Sequence, residues 1–169
     1  AADNQLFIAA AEGVAYCLDL RDGYIRWRYP TGSDLYVAPT ISGNLVLFGS
    51  WDEWLYALDR ETGKLVWRFH AETYLDSGAP AISDDGKIYL PTMGPRFYCL
   101  DSQTGEELWR WESDDPTALA SNDVLSGDAD GDGVADLFVQ TLDESRRKSV
   151  YLLDGADGDD SLQGDAGDD

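Results

Sequence analysis

The densest run of metal-ligating side chains in this chain is Asp128-Ala-Asp130-Gly-Asp132-Gly133-Val134-Ala-Asp136. Carboxylates at loop positions 1, 3, 5 and 9, with glycine at position 6, can wrap a hard cation in oxygen. The Val134 carbonyl would face inward as the position-7 ligand. Four carboxylates this close repel one another unless a cation lies among them. The expected ion is Ca2+, held by Asp128, Asp130, Asp132, Val134 and Asp136, since a flexible loop of many oxygens suits calcium better than magnesium. A helix–loop–helix site would next carry a bidentate Glu at position 12. That position is Val139, inside an apolar run, and no helix pattern flanks the loop. An ion built into a strand connection acts as a staple, its affinity coupled to folding.

Other residues offer less. Trp51-Asp-Glu-Trp54 places two aromatics around two acids, an arrangement that can stack on a sugar ring or anchor a protein partner. Packing between structural units competes with that reading. His70, the single histidine, has no Ser or Cys motif beside it, so no triad is expected and no catalytic residue is assigned. Cys17 and Cys99 form neither a disulfide framework nor a zinc set, and they read as small buried side chains.

The elements that position these groups must suit an acidic, turn-rich chain. Of the 169 residues 33 are Asp or Glu against 12 Lys or Arg, a net charge of −21, and 25 of the acids are Asp. Phosphate contacts need clustered Lys and Arg, and the acid excess opposes them, so a nucleic-acid partner is not expected. No apolar run approaches the ~20 residues of a membrane span. At 43% hydrophobic and 12% aromatic, the composition is too apolar for a disordered acidic polymer.

An internal repeat supplies the architecture. Tyr16-Cys-Leu-Asp-Leu-Arg-Asp-Gly-Tyr-Ile-Arg-Trp27 aligns without gaps with Tyr56-Ala-Leu-Asp-Arg-Glu-Thr-Gly-Lys-Leu-Val-Trp67 and Tyr98-Cys-Leu-Asp-Ser-Gln-Thr-Gly-Glu-Glu-Leu-Trp109. A weaker copy runs from Tyr151 to Leu162. Steps of 40, 42 and 53 residues, built of short strands, predict propeller blades. In each copy the Asp accepts backbone N–H groups at the turn and the Gly supplies a positive φ, and in the first three Trp27, Trp67 or Trp109 packs on the next blade. The fold class expected is all-β: a propeller of about four four-stranded antiparallel blades, the first and last incomplete. The blades fall near 1–36, 37–76, 77–120 and 121–163 of one domain, with an acidic tail over 164–169.

Leu-Asp-x-x-Thr-Gly-[Lys/Glu]-x-x-Trp, with Ala-Pro-x-Ile-Ser upstream at Ala38–Ser42 and Ala79–Ser83, resembles the pyrroloquinoline-quinone-type propeller repeat. That family ranges from quinone-dependent dehydrogenases to non-catalytic outer-membrane assembly scaffolds, so the resemblance implies the fold rather than an activity. The loop from Asp128 to Asp136, followed by Leu137-Phe138-Val139, resembles the FG-GAP repeat of integrin-like propellers, which holds calcium between the first two strands of a blade. The tail from Gly155 to Asp169 resembles the calcium-binding β-roll nonapeptide, although a blade turn followed by a frayed end explains the same residues.

The function these features support is a non-catalytic, calcium-binding extracellular propeller module for adhesion, scaffolding or self-assembly, secreted or at the cell surface, with the periplasm as the other compartment. Its partner would be a further copy, forming an oligomer or fibre, or another extracellular protein, because an open propeller exposes apolar blade faces. Two alternatives belong to other classes: a fragment of a quinoprotein dehydrogenase, and a carbohydrate-binding module using Trp51 and Trp54 on a glycan.

Overall fold

The computed structural model describes residues 4–76, 78–83 and 85–113 with their side chains, and strands within 119–165 by their backbone. The chain forms four antiparallel sheets in sequence order. The first holds β1 (Gln5–Ala10), β2 (Val14–Asp19) and β3 (Ile25–Pro30). The second holds β4 (Thr40–Ser42), β5 (Leu45–Gly49), β6 (Trp54–Asp59) and β7 (Leu65–His70). The third holds β8 (Ala81–Ile82), β9 (Lys87–Pro91), β10 (Arg96–Asp101) and β11 (Glu107–Glu112). The fourth holds β12 (Leu119–Gly127), β13 (Asp136–Leu142), β14 (Lys148–Leu153) and β15 (Leu162–Asp165). Each is a meander in which sequential strands are neighbours, the order expected of propeller blades. The first sheet has three strands among the described residues, as the repeat count predicts.

Local chemistry explains why the strands end where they do. The Asp19, Asp59 and Asp101 carboxylates accept the backbone N–H of Arg21 (3.0 Å), Thr62 (2.8 Å) and Thr104 (2.8 Å). In the same turns Gly23, Gly63 and Gly105 each donate a backbone bond of 2.8 Å to the Asp carbonyl. Their φ angles of +76°, +70° and +73° are left-handed, a region that side chains other than glycine enter at a cost. Each pairing with the following strand slips by one residue at the same point, after Cys17, Ala57 and Cys99.

The sheets stack through apolar faces. Ala15, Cys17 and Trp27 of the first pack with Val46, Phe48, Tyr56 and Leu58 of the second. Leu45, Leu47, Leu55 and Ala57, on the second sheet's other side, pack with Ile88, Leu90, Tyr98 and Leu100 of the third. A strand such as β6 is therefore buried on both faces through Leu55–Leu58, and each buried Leu contributes about 1.5–3 kcal/mol. Thr40 and Pro80 tie the inner strands β4 and β8, the Thr40 hydroxyl donating to the Pro80 carbonyl at 2.9 Å. On the first sheet's far side the positions that match Val46 and Leu65 hold Leu6 and Ile25, and both are exposed, as are Leu20 and Tyr24.

Tryptophan couples one sheet to the next. The Trp27 indole lies over Gly63 and donates its Nε1–H to the Arg60 carbonyl at 2.9 Å. Trp67 lies over Gly105 in the same way. Both Trp residues therefore pack on the following blade, as the repeat implied.

Candidate functional site

Among the described residues, the antiparallel order brings five connections to one end of the strands: 11–13, 31–39, 50–53, 71–80 and 92–95. They are stitched together by backbone bonds. Trp51 donates to the Asp34 carbonyl at 3.0 Å, and Met93 donates to the Tyr74 carbonyl at 3.0 Å. Leu35 and Leu75 reach back to Ala10 and Ser50 across the neighbouring blade, each at 3.4 Å.

Asp52 organises the second hairpin. Its carboxylate accepts the Gly32 N–H (2.6 Å), the Trp54 N–H (3.1 Å) and the Tyr56 hydroxyl (2.6 Å). Gly32 leaves room for this approach, since a Cβ would stand 2.5 Å from the Asp52 carboxylate and the carboxylate would have to shift. Burial, followed by the Asp52 hydrogen bond, pushes the Tyr56 phenol far above its ordinary range. Glu53 then turns the chain with a φ of +72°.

That turn separates the two tryptophans singled out by the sequence. Trp51 meets Tyr36 edge-on at 4.9 Å and stacks with Tyr74 at 5.7 Å and 24°. Trp54 instead begins β6, lies 4.7 Å from the His70 ring and carries the Arg68 guanidinium 4.0 Å over its face. His70 reaches the Glu53 carboxylate at 3.2 Å. The adjoining aromatic surface is thus Tyr36, Trp51 and Tyr74, drawn from three connections. Tyr36 and Tyr74 were not foreseen, because neither carries a local signal beyond being aromatic.

Among the described residues no group of three or more His, Cys, Asp or Glu side chains is placed to hold a metal. Residues 128–135 of the expected calcium loop, with Asp128, Asp130, Asp132 and Val134, lie outside the described residues, as does most of the acidic tail. Gly127 at the end of β12 pairs with Asp136 at the start of β13, so the loop joins the first two strands of the fourth sheet. Cys17 and Cys99 are free and buried in different sheets. Burial raises both thiols, that of Cys99 to about 12.

Four successive antiparallel meanders, the first three coupled by Trp-on-Gly contacts, define a β-propeller segment. A family model described as outer membrane protein assembly factor BamB matches residues 1–73 and 51–163. The chain belongs to this family of pyrroloquinoline-quinone-like propeller repeats. Among curated proteins it is 31% identical over 108 residues to quinoprotein alcohol dehydrogenase PedH of Pseudomonas putida, covering 56% of this chain and 18% of that one. It is 32% identical over 98 residues to 1-butanol dehydrogenase (quinone) of Thauera butanivorans, covering 50% and 16%. The chain thus spans less than a fifth of the length of these relatives. Among solved structures, BamB of Moraxella catarrhalis superposes with a TM-score of 0.73 at 19% identity, covering 96% of this chain and 50% of the other. Quinohemoprotein alcohol dehydrogenase of Comamonas testosteroni gives a TM-score of 0.75 at 20% identity, covering 96% and 33%. These likenesses bear out the propeller and the quinone-type repeat.

The residues described at the connection end do not fit a pyrroloquinoline quinone, which is a tricarboxylate. The five connections carry Glu12, Asp34, Asp52, Glu53, Glu72 and Asp76 and neither Lys nor Arg. An anionic cofactor would meet repulsion there rather than the cationic clamps that carboxylates favour.

Proposed function

We propose that the chain is a segment of a quinoprotein-dehydrogenase-type propeller, supplying blade wall to a ring whose remaining parts carry the cofactor-holding groups. The observation that carries this reading is its 31–32% identity to quinone-dependent alcohol dehydrogenases. The comparisons favour it over the adhesion module expected from the calcium loop. The exposed Leu6 on the first sheet supports it too, since a neighbouring blade would cover it as the first sheet covers its counterpart Val46. The test is dye-linked oxidation of primary alcohols by the native protein after addition of pyrroloquinoline quinone and calcium. Turnover that depends on both is expected, and none with any alcohol would remove the reading.

A second reading is a non-catalytic scaffold, calcium-stabilised through Asp128, Asp130, Asp132, Val134 and Asp136 and working outside the cytoplasm. The family match over 1–73 and 51–163 supports it, since that family is described by an assembly factor. Light scattering in millimolar calcium and then in chelator tests its self-assembly form: a larger species that dissociates on chelation is expected, and an unchanged monomer would count against it.

A further inference from the structure

We propose that the Tyr36–Trp51–Tyr74 surface is a docking platform for the guanidinium and ammonium groups of a basic segment on a partner protein. Tyr36, Trp51 and Tyr74 are 51%, 36% and 51% exposed. With centroids 4.9 and 5.7 Å apart they make one continuous aromatic surface, and exposed Met93 lies beside it through its bond to the Tyr74 carbonyl. One of the rings is held before any partner arrives: the Tyr36 hydroxyl donates to the Asp34 carboxylate at 2.8 Å. The Trp51 backbone N–H donates to the Asp34 carbonyl at 3.0 Å, which fixes the chain beneath the second ring. Less freedom is then left to lose on binding.

Charge selects the occupant. The five described connections at this end hold six acids and neither Lys nor Arg. Two of these acids are already matched, Glu72 by Arg96 and Glu53 by His70. Asp34 and Asp76 take part in no ion pair among the described residues, and both act on the Tyr36 phenol to raise its pKa. A phenol that donates to a carboxylate also has a more electron-rich ring, which strengthens its attraction for a cation on its face. The fold uses the same contact internally, with Arg68 4.0 Å over Trp54 and Arg110 5.6 Å over Tyr98. A neutral sugar could use the aromatic planes and donate hydroxyls to the carboxylates, but it would leave their negative charge unmatched. This platform does not depend on whether the ring is an enzyme or a scaffold.

The test titrates a labelled Gly/Ser peptide bearing four arginines into the full chain at low and moderate salt. Its citrulline analogue and a panel of neutral oligosaccharides serve as comparisons. Saturable binding of the arginine peptide is expected, with the citrulline peptide at least about tenfold weaker. Trp51→Ala and Tyr74→Ala, neither of which alters charge, should each weaken it by about tenfold, the scale of a desolvated cation–π contact. Near-ultraviolet circular dichroism checks folding, and if Trp51→Ala unfolds the chain the Tyr74→Ala variant decides. Unchanged affinity in the folded variants would mean that the overall charge of −21 attracts the peptide, and would overturn the proposal. So would binding of an oligosaccharide without the peptide, or no binding of either.

Discussion

Gly63 lies so close beneath the Trp27 indole that a Cβ placed on it would stand 2.6 Å from the ring. The same contact recurs at Gly105 under Trp67, where the distance would be 2.4 Å, while Gly23 has no atom within 4 Å of that position. The three glycines share a turn and a positive φ, so they separate backbone strain from packing.

Substitution of each by alanine should therefore give two sizes of effect. Gly23→Ala meets only the left-handed backbone and should cost about 1–2 kcal/mol. Gly63→Ala and Gly105→Ala add overpacking against the indole and should cost about 2–4 kcal/mol. Denaturant midpoints measure the difference. Equal losses at all three would show that the Trp contacts do not couple the blades.

The two docked tryptophans differ in one hydrogen bond. Trp27 Nε1–H donates to the Arg60 carbonyl, whereas Trp67 Nε1 is buried without a partner. Trp27→Phe should lose about 1 kcal/mol more than Trp67→Phe, since only the first forfeits a bond. Thermal melts of the pair test this, and a larger loss at Trp67 would contradict it.

Acid should loosen the blades through their turns. The carboxyls of Asp19, Asp59 and Asp101 are held below the usual range, by Arg21, by the Thr62 hydroxyl and by the Thr104 backbone N–H respectively. A carboxylate whose folded pKa is depressed adds stability that is complete above its unfolded pKa of about 4 and is lost as pH falls through the folded value. Melting temperature should drop between about pH 4 and pH 2, and Asp59→Asn should flatten that drop while lowering stability at neutral pH. An unchanged acid limb in the variant would exclude this turn as a contributor.

How far could the residues themselves have told this? The turn Asp, the turn Gly and the docking Trp were legible because each acts within one repeat or on its neighbour at a fixed spacing. Trp27 reaches Gly63 through such regularity alone. The Tyr36–Trp51–Tyr74 surface was not legible, because it joins three connections from different repeats and depends on Glu53 turning Trp54 away. Trp54 beside Trp51 in sequence suggested one platform, and in space the second ring serves His70 and Arg68. The acid excess of the five described connections could have been counted only after the strand order showed that they share one end.

Thiol chemistry offers an independent check on blade packing. Cys17 and Cys99 are fully buried and their pKa values are raised by burial. Neither should react with a disulfide reagent at pH 8 until the chain unfolds. Rapid native labelling of two thiols would mean that the sheets do not stack as described.

If the acidic loop is a staple, millimolar calcium should raise the melting temperature of the native chain. Asp128→Asn combined with Asp132→Asn should abolish that rise by removing two carboxylate ligands. A full calcium response in the double variant would place the ion elsewhere.

The most direct test of the quinoprotein reading is equilibrium dialysis of pyrroloquinoline quinone against the native protein in millimolar calcium, followed by its visible absorption. The account predicts saturable retention of one quinone per completed ring. Failure to retain quinone at any concentration would contradict it.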